Sequence, residues 1–290
     1  MNGWIILDKD SGLFSRTAGG RVARMFGTKK FGHIGTLDPM ASGVLPIAIG
    51  NATKMIPFVE DVAPNIKEYE FGVQFGVETD TLDITGRELR RDDRRPTADE
   101  IISVLPSFVG DIDQVPPNFS AVHIGGARAY EMARRGGATF ELPPRRVTVH
   151  SLEFTGRDGA SWRFKMRCSR GTYVRAIARD IAKKAGCIAT VDMIRRTVSG
   201  GFNIENTVKL DFLENVVNNG ADIGKYLMPV DFGLGDIPVL NLDGATAELY
   251  KNGGFVKSDA PGGVYRAYSG DEFIGIGRVS DGVLRPKRTI

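Results

Sequence analysis

Apolar positions along this chain fall into short, separated runs whose spacing predicts alternating strands and helices. Trp4-Ile5-Ile6-Leu7 reads as a short strand, followed by a glycine-bearing turn and a helix with Val22, Met25 and Phe26 on one face, ended by Gly27. Val44 to Ile49 reads as a strand in which Pro46 argues for an edge or a bulge. The strongest strand pattern is Tyr69 to Val77, where Tyr69, Phe71, Val73, Phe75 and Val77 alternate onto one face. Residues 78 to 96 are polar and predict an exposed connection. Thr97-Ala98-Asp99-Glu100 then forms a capping box ahead of a short apolar helix.

The segment 114 to 146 mixes prolines, glycines, aromatics and arginines without sustained periodicity, as long functional excursions do. Trp162 to Cys168 alternates apolar and basic residues, so Arg163, Lys165 and Arg167 share the face opposite the core. Thr172 is placed to cap a helix reaching about Ala185, with Val174, Ile177 and Ile181 inward and Gly186 as its stop. Residues 233 to 290 are glycine-rich with short β-like runs, and predict a small β domain after a larger one over 1 to 232.

Composition narrows the class. With 42% hydrophobic and 25% charged residues, 290 positions can bury a substantial core of a soluble globular protein. No apolar run approaches the roughly 18 residues of a membrane span, and no signal-peptide pattern opens the chain, so a cytoplasmic location is expected. Two cysteines are too few for a disulfide framework, and three scattered histidines give no zinc spacing. The net charge of +3 permits an anionic partner without requiring one.

Candidate chemistry concentrates in Gly32-His33-Ile34-Gly35-Thr36-Leu37-Asp38-Pro39-Met40-Ala41-Ser42-Gly43. Pro39 disfavours helical dihedrals at Asp38, and the glycines allow tight turns and close backbone approach. Taken alone, Asp-Pro is an ordinary Asx turn. The full twelve-residue run, however, resembles the signature loop of the TruB family of tRNA pseudouridine synthases. Lys67-Glu68-Tyr69, Pro116 to Ala121 leading into Gly126 to Glu131, Cys168 to Arg175, Thr79 to Gly86 and Ile194-Arg195-Arg196-Thr197 follow in the family's order. The similarity spans residues 3 to 205 and, weakly, a C-terminal domain that looks like a small PUA-type RNA-binding barrel. Departures are visible too. Lys9-Asp10-Ser11-Gly12-Leu13-Phe14-Ser15 stands where a KPxGxTS-like stretch is typical, His123 and Arg170 replace usual lysines, and Ile194 replaces a usual leucine.

The resemblance implies an α+β pseudouridine synthase fold: a mixed, mainly antiparallel central sheet flanked by helices, plus the small PUA-like domain. It implies isomerisation of the T-loop uridine of tRNA, position 55 by tRNA convention, with no cofactor and no metal. Pseudouridine formation breaks the C1′–N1 bond, turns the base and rejoins it through C5, so nothing is oxidised and no group is imported. Asp38 is implied as the catalytic carboxylate, by covalent addition or a glycal route. Arg175 is implied as the guanidinium that favours its charged form, and Tyr69 as the ring stacked on the base and a candidate for proton removal. Tyr173 and Ile194 would line the base pocket, and His33 would brace the flipped nucleotide.

Candidate phosphate contacts are Lys9, Lys54, Lys67, Arg128, Arg134, Arg135, Lys287 and Arg288, with 114 to 146 as an RNA-gripping insertion. Asp80 and Asp83 invite a paired-carboxylate reading but suit turn and N-cap roles better. The partner implied is the tRNA T arm, bound by a monomer without guide RNA, obligate protein partner or membrane. A tRNA-binding chaperone on the same scaffold and a nucleoside hydrolase are the competing classes, separable by C5-tritium release and by product analysis.

Overall fold

The computed structural model describes residues 1–62, 64–120, 123–124, 127–128 and 142–290. Most of the 114 to 146 excursion, including Arg134 and Arg135, lies outside them, as do the side chains of His123 and Arg128. The backbone of Ala127–Arg128 pairs antiparallel with that of His123–Ile124. The chain divides into two compact units: residues 1–38, 44–64 and 200–290 in one, 39–43 and 65–199 in the other. The division therefore cuts the glycine loop after Asp38.

In the first unit, strand Gly3–Lys9 pairs parallel with Val208–Lys209, and Phe31–His33 pairs antiparallel with Ser42–Ile49. Its core gathers Trp4, Ile6, Val44, Ala48, Met55, Val59 and Phe202, and Trp4 donates its indole N–H to the Val230 carbonyl at 2.9 Å. Helix Ser15–Met25 buries Ala18, Val22 and Ala23. Gly27 follows it in the left-handed region (φ +67), so the sequence-based stop is observed. Strand Ser42–Ile49 is also hydrogen-bonded to Gly3–Lys9 and so is interior, not the edge that Pro46 suggests; Pro46 falls between the pairing of Ser42-Gly43 with Arg195-Arg196 and that of Ile47 to Ile49 with Phe31 to His33. Beyond Pro238, five strands in the order Val239–Asn241, Gly263–Ser269, Glu272–Ser280, Val283–Thr289, Val256–Lys257 form a separate mixed sheet. Helix Gly244–Lys251 covers it with Ala247 and Tyr250.

The second unit is a run of antiparallel strands in the order Ala189–Ser199, Lys67–Phe75, Ser161–Cys168, Arg145–Asp158, Gly110–Gln114. Tyr69, Phe71, Val73 and Phe75 are buried, as their alternation requires, with Phe71 stacked on Phe164 at 5.3 Å between ring centroids. The Cys168 thiol lies in this core, and burial pushes its pKa up to about 11. The Thr97 capping box closes as read, with Glu100 N–H on Thr97 Oγ1 at 3.2 Å and Thr97 N–H on Glu100 Oε2 at 2.7 Å.

Three local readings change. Residues 78 to 96 are not a bare connection, because Val77–Thr79 and Glu88–Arg91 pair as a hairpin secured by an Arg90–Glu78 ion pair at 2.6 Å. Thr172 is not the helix cap: helix Val174–Lys184 starts after Tyr173, whose N–H and carbonyl both bond the Gln114 amide, at 2.8 and 3.2 Å. The basic face of Ser161–Cys168 is largely neutralised in place, with Lys165 on Glu68 at 3.1 Å and Arg163 on Asp158 at 2.7 Å.

Candidate active site

The glycine loop is anchored on both sides of Asp38. Ser15, buried at the start of its helix, accepts the N–H of Leu37 and donates to the Leu37 carbonyl, each at 3.0 Å. The peptide directly before Asp38 is thus fixed by one hydroxyl. After Asp38 the chain turns through Pro39 and Met40 and enters strand Ser42–Ile49. Ser42 Oγ donates to Ile194 O at 3.4 Å, and Gly43 pairs with Arg196. Gly43 has φ +103, and a Cβ there would lie 2.2 Å from the Arg196 carbonyl oxygen. Only glycine fits both demands. Gly43→Ala is expected to destabilise the protein by about 2–4 kcal/mol, read as a fall in the urea midpoint at unchanged slope. A midpoint equal to wild type would show that the strand contact yields freely.

Arg175, in the first turn of its helix, is 4% exposed. Its guanidinium donates to the Thr81 carbonyl at 2.7 Å and to the Phe119 carbonyl at 3.0 Å, and stands 3.5 Å from Asp83 Oδ2. Asp83 is also 4% exposed, and its Oδ1 accepts from the Thr85 N–H at 3.0 Å and from Thr81 Oγ1 at 2.9 Å. Asp83 is therefore a turn residue, as its sequence context suggests, and in addition the buried ion-pair partner of Arg175. Between Thr81 and Asp83, Leu82 has φ +63, a conformation that costs a residue other than glycine on the order of 1 kcal/mol. Strain of this kind at a clamp is frequent in functional loops. Asp80 has a plainer task, accepting the Arg87 N–H at 2.9 Å.

Tyr69 (6% exposed) and Ile194 (4%) lie on adjacent strands, Tyr69 opposite Arg196 and Ile194 opposite Phe71. Arg196 is fully buried; burial pushes its pKa down, and a hydrogen bond with the Tyr69 hydroxyl opposes that. Tyr173 is half-buried and precedes Arg175 by two residues. Tyr69, Tyr173, Arg175, Ile194 and Lys67 belong to the second unit, and Asp38, His33, Lys9 and Lys54 to the first. His33 is half-buried at the end of its strand, opposite Ile47.

The basic residues divide by burial. Lys9 is fully buried and donates to the Leu13 and Asp10 carbonyls at 2.7 and 3.0 Å, closing the turn between strand and helix. It holds backbone in place and presents no charge to the surface. Lys54 donates to the Thr289 carbonyl at 3.0 Å. Lys67 is half-buried, whereas Lys287 and Arg288 are exposed. Sequence reading missed Ser15, Gln114 and Arg196 as supporting groups. Ser15 had a signal in its place at the end of the altered KPxGxTS-like stretch, and Arg196 in the Ile194 to Thr197 run; Gln114 had none.

With this geometry in place, the chain can be set beside known proteins. Residues 23–174 match the family model "TruB family pseudouridylate synthase (N terminal domain)". Residues 175–234 match "tRNA pseudouridylate synthase B C-terminal domain", and 238–290 match "Pseudouridine synthase II TruB, C-terminal". A Caulobacter vibrioides protein named tRNA pseudouridine synthase B is 40% identical over 99% of this chain and 96% of its own length. A protein of the same name from Dinoroseobacter shibae is 43% identical over 99% of this chain and 95% of its own length. The chain belongs to the TruB family of pseudouridylate synthases.

As a TruB family member it is an isomerase that makes pseudouridine. A chain in "Crystal Structure of a Cbf5-Nop10-Gar1 Complex" aligns with a TM-score of 0.70 at 22% identity, over 99% of this chain and 84% of that one. A chain in "Structure of H/ACA RNP bound to a substrate RNA containing 2'-deoxyuridine" aligns at 0.69 and 21%, over 99% and 84%. At those identities the likeness shows the fold: a pseudouridine synthase fold with a mixed sheet, helices and a C-terminal β domain. No described helix of this TruB chain is long and apolar enough to cross a membrane.

Proposed function

We propose that this TruB family enzyme isomerises the T-loop uridine of tRNA, acting as a monomer without a guide RNA. The observation that carries the reading is near-full-length likeness to relatives named tRNA pseudouridine synthase B. The twelve-residue aspartate loop, complete from Gly32 to Gly43, supports it.

In this reading the target base leaves the T-loop stack, which costs a few kcal/mol regained in part through pocket contacts. Asp38 supplies the carboxylate at ribose C1′, whether it adds to the sugar or works through a glycal. The C1′–N1 bond breaks, the uracil turns, C1′–C5 forms, N1 ends protonated and the C5 proton leaves. Tyr69 stacks on the base, with its phenol a candidate acceptor for that proton, while Tyr173 and Ile194 wall the pocket. Arg175 favours the charged form of the carboxylate, and His33 occupies space the base vacates. Residues 1–232 form the catalytic domain, with 114–146 gripping RNA. Residues 233–290 add phosphate contacts, for which Lys287 and Arg288 are exposed.

Transcribed tRNA labelled with tritium at uridine C5 tests this directly. Release of one equivalent per tRNA is expected, with none from a transcript whose T-loop uridine alone is replaced by cytidine. Equal release from both transcripts would place the target elsewhere in the RNA.

A further inference from the structure

Arg196 sits where two strands meet its own within one unit. On one edge its backbone packs on Gly43, the last residue of the glycine loop. On the other, Tyr69 lies directly opposite in an antiparallel pair. Opposed residues in such a pair project from the same face with Cβ atoms about 4.5–5.5 Å apart, so guanidinium and phenol share one side of the sheet. The register then slips, with Val198 opposite Glu68, and a bulge of this kind bends the strand and re-aims its side chains. Neither side chain faces solvent, since Arg196 is fully buried and Tyr69 is 6% exposed.

A guanidinium taken entirely out of water is a costly way to fill a sheet position, which methionine or leucine would fill without desolvating a charge. The arrangement is explained if the charge has a task. We infer that Arg196 is a positioning residue for the isomerisation, holding the Tyr69 phenolic oxygen and tying that ring, through its own backbone on Gly43, to the end of the aspartate loop. The inference rests on the proposed stacking of Tyr69 against the target base. Arg196 itself touches neither base nor sugar. Its N–H groups donate to the phenolic oxygen, which restrains the ring about its two side-chain torsions and so fixes the face offered to the base. Its burial and its bond to Tyr69 are already in place without RNA, so the ring is set before the substrate arrives.

Three variants of the full chain separate this from a merely structural role. Arg196→Met is expected to lower kcat for tritium release roughly 10–100-fold, the range for a hydrogen bond involving a charged group, with KM within about threefold. Arg196→Lys, which returns the cation and one donor, should recover part of that loss at equal folded fraction. Arg196→Gln, a neutral donor, should fall between methionine and lysine, and the glutamine-to-lysine comparison decides the matter if the methionine variant does not fold. The fluorine resonance of position 69 in protein labelled with 3-fluorotyrosine, assigned by its loss in Tyr69→Phe, should move in Arg196→Gln without RNA present. A kcat within threefold of wild type in the neutral variants would overturn the inference. So would a lysine variant no better than the neutral ones at equal folded fraction. If wild type itself releases no tritium while the fluorine resonance still moves, the functional reading fails and the Arg196–Tyr69 pairing stands.

Discussion

Asp38→Asn is expected to bind tRNA and to lose pseudouridine formation. The substitution keeps the size and planarity of the side chain, and asparagine suits the same turn conformations as aspartate. The local frame survives it, because Ser15 holds the Leu37 peptide through backbone atoms and Pro39 still restricts the residue before it. Only the negative charge and its nucleophilicity go. The expected loss in single-turnover tritium release is about 10³-fold or more, typical when the group that makes or breaks bonds is removed. Affinity for tRNA should stay within about threefold, since phosphate contacts dominate such binding. Asp38→Glu keeps the charge but moves it by one methylene. About a 1 Å misplacement costs on the order of 10²-fold, so this variant should be slow yet measurable. An asparagine variant within tenfold of wild type would remove Asp38 from the chemistry.

Asp83→Asn should cause a large loss of stability. Asp83 and Arg175 are each 4% exposed and 3.5 Å apart, so neutralising the carboxylate takes an opposite charge away from a buried guanidinium. Breaking a buried pair by removing one partner costs about 3–5 kcal/mol. Against the usual total of about 5–15 kcal/mol, the variant should fold but unfold at clearly lower urea. Arg175→Met should cost a similar amount, and the double variant less than the sum, because both single changes break the same interaction. Activity should fall with either change, as the Thr81 to Thr85 loop and the helix start lose their common clamp. A loss below about 0.5 kcal/mol for Asp83→Asn, the size of an ordinary surface substitution, would show that the burial of Arg175 does not depend on the Asp83 carboxylate.

Features set by neighbours a few residues apart were legible in the sequence. The Tyr69 to Phe75 alternation, the Thr97 capping box, the inward Val174, Ile177 and Ile181, and the stops at Gly27 and Gly186 all stand where the pattern puts them. Each depends on backbone periodicity or a turn conformation, which a window of four to eight residues contains. The helix cap shows where this ends. Thr172 has the right chemistry and position for an N-cap, yet Gln114, brought in from 59 residues away, satisfies the Tyr173 backbone instead. The hairpin over 77 to 91 was hidden likewise, because its charged strand carries no apolar alternation and is held by ion pairs at its surface.

By itself the sequence determined several of the strands and helices, that an aspartate stands before a proline in a glycine loop, and to which family that loop points. Only the tertiary structure decided which charged side chains go inside: Lys9 under its turn, Arg175 against Asp83, Arg196 beside Tyr69. The reason is physical. A lysine or arginine has the same propensity and reach whether exposed or buried. What permits its burial is a set of carbonyls, a carboxylate or a phenol aimed at it by the folded backbone, and that set exists only once the chain has folded.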